Sequence, residues 1–443
     1  MKQGGKLIES GGFGCIFKPQ LKCNPNYVIA GDNSYFGDNG ISKLMKTKHG
    51  VNEYNEIKRF IPILKTIPNY KNYFIISDYT LCKPMPLSAS DLIDFNKVKC
   101  SPLKKVNITS KNINENLDEL LAINMPYGGN DIDEFIKKTI YERNIIVIFN
   151  EKMIDLLTNA IIPMNKRGIF HGDLKSNNIL VNIENKKMFL RIIDWGLSGI
   201  YIPNITNESQ FSESGFRDDW KLIPSKFRDR PFQYNVPFSS ILFSKKFNDI
   251  YSNFLMSKNG NFTNHDIKDF VISFFEDYVD SYRSGHLSTF NSIFKYHKKL
   301  ISLLSEDSNP IRLNNRKIYS NIDYIYKYIY DILIKFTKPY SFDVLAYFSQ
   351  VYTKNMDVWG FVMSYVALCD NAKNIMYNNY NQKVSNNMKT LLEILLKYSA
   401  TPIDITEIKK ALLYFNYQIE TKKIKIKRKT RKNNIIYNWF YCY

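Results

Sequence analysis

The sequence predicts an α+β protein, with a small β-rich N-terminal part and a large helical C-terminal part. Three observations carry that expectation. Short apolar, β-branched runs separated by glycine or polar turns fill the first 125 residues. From about Asn130 the apolar spacing turns helical. An apolar fraction of 44% with 15% aromatics marks a globular chain, and 443 residues are enough for two or three domain-sized units.

The elements follow in order. "KLIESGGFGCIFKP" reads as two strands joined by a glycine turn, and "NGISKLMK" as a third strand. "VNEYNEIKRFIPIL" carries apolar residues at 57, 60, 61 and 64, which is helical spacing. "YFIISDYTLC" and "ELLAINMPYGG" read as later strands. "VIFNEKMIDLLTNAIIPMNKRG" ends in Lys-Arg-Gly, a helix C-terminus. "NNILVNIENKKMFLRIIDWG" then gives two apolar strands around an "ENKK" turn. The region from roughly 240 to 350 is aromatic-rich and helical in pattern, and no internal repeat at solenoid periods is visible.

The formal charge is +19, and eight of those charges lie in "KKIKIKRKTRK", residues 422–432. A solvated tail accounts for such a run; the functional reading is a contact with nucleic acid, an anionic membrane or an acidic partner. The aromatic ending "IIYNWFYCY" favours docking on something. The six cysteines (15, 23, 82, 100, 369, 442) show no CxxC or CxxH spacing. That argues against a zinc module or a disulfide framework and fits a reducing compartment. No apolar run reaches membrane-span length, and "MKQGGKLIES" lacks the apolar core of a signal peptide. The expectation is an intracellular protein without a membrane span.

Four pieces of the sequence carry chemistry. "GGFGCIF" supplies Gly11, Gly12 and Gly14 where backbone N–H groups must approach phosphates without a Cβ in the way, although such a string is also an ordinary hairpin turn. Lys43 in "GISKLM" is an isolated cation in an apolar strand. "HGDLKSNNIL" sets Asp173, Lys175 and Asn178 just ahead of a strand, an order no packing rule requires. "IIDWG" ends a buried strand on Asp194, with a glycine behind it for a sharp turn.

Together, in this order, these pieces resemble the protein-kinase family over Leu7 to Gly196, and "MDVWGFVMSYV" resembles a helix of the family's larger lobe. The resemblance implies a bilobal fold: an N-lobe over 1–124, a C-lobe over 125–420 that includes the insertion near 240–350, and a tail over 421–443. It implies an ATP- and Mg2+-dependent serine/threonine protein kinase acting on a protein substrate. Asp173 then orients or accepts the substrate hydroxyl proton and Lys175 neutralises the γ-phosphate. Asn178 and Asp194 hold magnesium. Lys43 grips the α- and β-phosphates and is itself held by a helix glutamate. Glu53 and Glu56 lie one turn apart on nearly the same face of "VNEYNEIKRF". Glu56 is favoured by its distance to Pro68–Tyr70, and Glu53 stays open. Met125 becomes the gatekeeper and Pro126 to Gly128 the hinge, read through a carbonyl at the first position and an N–H at Gly128. Pro126 lacks only an N–H that this contact does not use. Ile8 and Ile16 cover the adenine face. Asp357 binds the backbone of the catalytic loop.

The chain also departs from the family. Glu9 stands where the loop's first glycine would be, which brings an acid close to the phosphates. Gly172 replaces the arginine that couples activation-loop phosphorylation to the site, so activity is expected not to require that phosphorylation. Trp195 replaces the usual Phe, and "RPFQYNVPFSS" stands where Ala-Pro-Glu would be. These traits resemble kinases of large DNA viruses of protists, which implies a host-cytoplasmic or virion-associated protein. Aminoglycoside and choline phosphotransferases share much of "HGDLxxxN…IDW". Lys175, Gly196 and the "DVWG" helix point away from them. A nucleotide-binding pseudokinase is the third reading, opposed by the presence of Lys43, Asp173, Asn178 and Asp194 together.

Overall fold

The computed structural model describes residues 6–11, 14–31, 36–93, 95, 100–203, 219–282, 293, 323–372 and 378–420. Gly12, the basic tail beyond Glu420 and much of the 240–350 region lie outside the described residues. The chain is mixed α+β, with its largest sheet in the N-terminal part and a mainly helical C-terminal part.

Six strands form an antiparallel sheet: β1 (Lys6–Ser10), β2 (Gly14–Lys18), β3 (Cys23–Ala30), β4 (Gly40–Lys46), β5 (Thr80–Pro84) and β6 (Leu120–Pro126), in the spatial order β1-β2-β4-β6-β5-β3. β4 is central, and its register sets Lys43 between Ile16 of β2 and Ile123 of β6. Helix α1 (Thr47–Leu64) follows β4 directly and buries Ile57, Phe60 and Leu64, three to four residues apart and so on one face. That stripe joins Met45, Leu121 and Ile123 in one core.

Two local expectations change. The strand expected over Tyr73–Cys82 starts only at Thr80, because Asp78 takes a left-handed φ of 65° and interrupts the extended run. Phe74 keeps an isolated bridge to Ile192. β3 was not expected at all. It contains Asn24, Pro25 and Asn26 and survives as an edge strand on β5, where a proline without an N–H is tolerated.

The cysteine reading is overturned. Cys15 pairs with Cys100 and Cys23 with Cys82, across sequence separations of 85 and 59 residues. Pairings between elements far apart in sequence leave no local spacing to read, and the cysteine argument for a reducing compartment falls with them. Cys369 is free.

Beyond β6, a short strand β7 (Asn130–Asp131) leads into α2 (Ile132–Thr139), capped by the Asp131 carboxylate accepting from the Glu134 N–H at 2.7 Å. Helix α3 (Arg143–Leu156) continues through a π-turn to Lys166 and stops at Gly168 with φ +77°. Strand β8 (Ile169–Phe170) precedes the loop that contains Asp173. β9 (Ile179–Glu184) and β10 (Lys187–Ile192) pair across Asn185 and Lys186, both at positive φ as a tight hairpin requires. β11 (Gly199–Ile200) pairs back on β8.

The described part of the 240–350 region is mainly helical, as its pattern suggests: Lys245–Ser257, Asn264–Tyr282 and Asp323–Phe336. Its aromatics pack on one another, Phe247 against Tyr251 and Phe274. Helix α4 (Thr353–Met363) lies inside this assembly, with every residue but Lys354 buried. Among the described residues, no helix is long and apolar enough to cross a membrane.

Each disulfide closes a long loop and so restricts the unfolded chain. Reduction with a strong thiol is expected to cost about 2–4 kcal/mol per bond. The check is thermal melting with and without reductant; an unchanged midpoint would refute the two pairings.

Candidate active site

Most side chains singled out by the motifs converge from both parts of the chain on one cavity; Asp173 is not part of its wall but bonds Lys175 and Asn178, which are. A cavity of about 750 Å³ is lined by Lys43 and Glu53 on one side and by Lys175, Asn178, Asp194 and Trp195 on the other. Ile8, Gly11, Ile16 and Met125 line the same cavity. Gly14 opens β2 opposite Met45 and is not part of the wall. A Cβ on Gly128 would lie 2.3 Å from Ile75 and 2.5 Å from Leu180, both of which are wall residues. The glycine therefore lets the chain following β6 lie against the cavity floor.

Lys43 corrects the expected pairing. Its ammonium sits 2.7 Å from both carboxylate oxygens of Glu53, not Glu56. Burial works against the charge on Lys43, but Glu53 and Asp194 outweigh it and hold the ammonium above its ordinary value. Burial lifts the Glu53 carboxyl too, with Lys43 opposing the shift. Glu56, one turn along, is bonded instead by Lys226 Nζ, which also donates to the Gly196 carbonyl at 2.9 Å. The spacing rule failed because the two glutamates share a face, and only the angle of α1 over β4 decides between them.

The loop carrying Asp173 is held from below. Asp357 of α4, 1% exposed, accepts the His171 N–H at 2.9 Å, the Gly172 N–H at 2.8 Å and the Asn165 side-chain amide at 2.9 Å. Gly172 has φ +70°, a backbone state a side chain would strain. Gly360 lets α4 close in: a Cβ there would stand 2.6 Å from the Leu174 carbonyl oxygen.

Asp173 itself is nearly buried, and both its oxygens are engaged. Oδ2 accepts from Lys175 Nζ at 2.9 Å and from Asn178 Nδ2 at 3.0 Å, while Oδ1 accepts from Asn235 Nδ2 at 2.8 Å. Burial alone would raise this carboxyl; the Lys175 charge and the hydrogen bonds from Lys175 and Asn235 more than offset it, leaving it below the ordinary range.

Asp194 follows β10 with φ 63° and ψ 75°, a left-handed turn that swings its carboxylate into the cavity. The Ile193 N–H bonds the Asn178 carbonyl at 3.0 Å, and His171 Nε2 meets the Ile193 carbonyl at 2.9 Å. Asn178 and Asp194 are thereby fixed beside each other by backbone, and His171 serves packing and loop shape. Trp195 is buried against Phe60, Phe74 and His171 at ring-centroid distances of 5.7, 5.9 and 5.1 Å. Glu9 also lines the cavity. Burial, then Asp131 and Glu134, push its carboxyl up.

Some participants were not singled out in the sequence. Leu180 was legible: in β9 it alternates with the buried Ile179 and Val181, so its side chain takes the other face. Asn235 and Lys226 were not, because each reaches the site only through the path of the chain after residue 219. The sequence matches no model of a known protein family.

Asp357→Ala would leave buried N–H groups of the Asp173 loop unpaired and is expected to cost about 2–5 kcal/mol. Urea denaturation measures it; a loss below half a kcal/mol would mean the loop does not depend on this carboxylate.

Proposed function

We propose that this protein is an ATP-dependent serine/threonine protein kinase of bilobal kinase fold, transferring the γ-phosphate to protein hydroxyls with magnesium. The observation that carries this reading is the convergence, on one cavity, of a carboxylate-held lysine from the sheet with an amide, a carboxylate and a second lysine from the helical part. Phosphoryl transfer asks a protein for positioning and charge stabilisation more than for covalent chemistry.

In this reading Lys43 binds the α- and β-phosphates. Asp173, kept ionised by its neighbours, orients the attacking hydroxyl and takes its proton. Lys175 meets the charge on the transferring group. The donor set fits magnesium: Asp194 and the Asn178 side-chain carbonyl are hard oxygen ligands held adjacent. Asn178 Nδ2 is spent on Asp173, which leaves its Oδ1 for a cation. A magnesium ion held by Asp194 and Asn178 would supply positive charge to offset that of the phosphates. The apolar walls, Ile8, Ile16, Met125 and Leu180, suit a purine ring.

The Lys226 link to Glu56 and Gly196 bears on regulation. The Lys226 ammonium ties the segment after residue 219 to α1 and to the turn behind Asp194. This supports activity independent of activation-segment phosphorylation.

The test is transfer of labelled phosphate from Mg-ATP to basic proteins, run beside aminoglycosides and choline. Asp173→Asn is expected to lower transfer by about 10²–10⁴ while Mg-ATP still raises the melting temperature. Labelling of choline or an aminoglycoside in place of protein would replace this reading with a small-molecule phosphotransferase. Nucleotide stabilisation without any transfer would indicate a binding scaffold. Phosphatase-treated protein is expected to retain its rate, and complete loss would refute independence from phosphorylation.

A further inference from the structure

We infer that the protein carries a second ligand pocket, apart from the cavity above, which takes a small amphipathic carboxylate of the medium-chain fatty-acid class. The pocket lies where the end of the helical stretch after α3, the chain following β11 and the start of the Ile405–Glu420 helix meet. It encloses about 530 Å³ and shares no wall residue with the 750 Å³ cavity. That volume falls in the roughly 300–1,000 Å³ typical of small-ligand sites. The inference does not rest on the phosphotransfer reading.

The wall is largely apolar, built from Ile162, Phe170, Tyr201, Ile202, Ile403 and Ile405. Ile202 stays 41% exposed, which leaves apolar surface for a ligand to cover. The charged groups on the wall are all cations: Lys166, Arg167 and Lys354. The Arg167 guanidinium donates only to neutral acceptors, the Thr66 hydroxyl and the carbonyls of Thr66 and Pro163. Lys166 and Lys354 are exposed and have no ion-pair partner among the described residues.

Two carboxylates adjoin the wall, and both are already engaged. Asp357, bonded to the wall residue Asn165, also accepts from the His171 and Gly172 N–H groups. Asp404 accepts from the Thr406 N–H and hydroxyl at 2.8 and 2.7 Å. Three cations without a carboxylate partner beside an apolar hollow call for an anion with an apolar body.

The same wall disfavours a peptide. Backbone N–H and C=O groups carried into an apolar hollow need partners there. The wall hydroxyls of Ser349 and Thr353 are spent on helix carbonyls, those of Leu345 at 2.7 Å and Ser349 at 3.2 Å. An acyl chain carries no such groups, and its one carboxylate can stay with the exposed lysines.

The test is calorimetric titration of the full chain with dodecanoate below its micelle-forming concentration, beside octanoate and dodecyltrimethylammonium. The expected result is a single dodecanoate per chain, bound about tenfold more tightly for every two methylenes added from octanoate upward. The cationic detergent is expected not to bind, and Mg-ATP not to compete. Lys166→Ala combined with Lys354→Ala is expected to weaken dodecanoate about threefold to tenfold, with the difference shrinking as salt is raised. Ile202→Asp sets a carboxylate beside the ligand and is expected to abolish binding. All three positions are exposed, and the melting temperature of each variant checks that it is folded. Absence of dodecanoate binding overturns the inference. So does binding that neither variant alters, binding of the cationic detergent at equal strength, or displacement by Mg-ATP. An acidic hydrophobic peptide or anionic vesicles bound through these residues in place of dodecanoate would also overturn it.

Discussion

The arrangement of the whole site depends on one buried carboxylate. Asp357 sits at 1% exposure inside the helical part and satisfies its charge with backbone N–H groups of residues 171 and 172 and an amide from Asn165. A buried anion is expensive unless its lone pairs are filled, so the carboxylate and the loop stabilise each other. Because Gly172 then takes a left-handed φ, the chain turns sharply and delivers Asp173 toward Lys175, Asn178 and Asn235. Loosening that anchor would disperse four side chains from one another.

The same constraint reaches the sheet. His171, placed by Asp357, bonds the carbonyl of Ile193, and Ile193 bonds Asn178, so the loop and the end of β10 form one unit. Trp195, next along, fills the space between His171 and the two rings of Phe60 and Phe74. Phe60 belongs to α1, the helix that carries Glu53 to Lys43. A continuous chain of contacts therefore runs from the interior of the helical part to the central strand of the sheet.

What was legible in the sequence follows from the range of each interaction. The strands β1 and β2, β4, α1, the 143–166 helix and the β9–β10 hairpin are set by local periodicity and turn chemistry, and they appear where the pattern put them. The strand β3 was missed because its pairing with β5 and the Cys23–Cys82 link, not its own residues, make it extended. The disulfides were misjudged for the same reason. Glu53 and Glu56 are chemically equivalent in the sequence, and only packing of α1 separates them. Asn235 left no signal, since an asparagine between a tyrosine and a valine looks like any loop residue.

The charge inside the cavity bears on what enters it. Its walls carry five carboxylates, Glu9, Glu53, Asp131, Glu134 and Asp194, against the three ammonium groups of Lys18, Lys43 and Lys175. Glu53 is paired with Lys43, Asp131 accepts from the Asn177 amide and caps α2, and Glu134 is paired with Lys138, while burial first, then Asp131 and Glu134, push the Glu9 carboxyl up. A bare polyphosphate would meet the excess of carboxylates as a like charge. On the phosphotransfer reading the nucleotide must therefore arrive with its counter-cation, and the acid at position 9 makes that requirement stricter than a glycine would. On that reading Glu9 and the oxygen ligands offered by Asn178 and Asp194 act together and favour a metal-bound nucleotide over a free one.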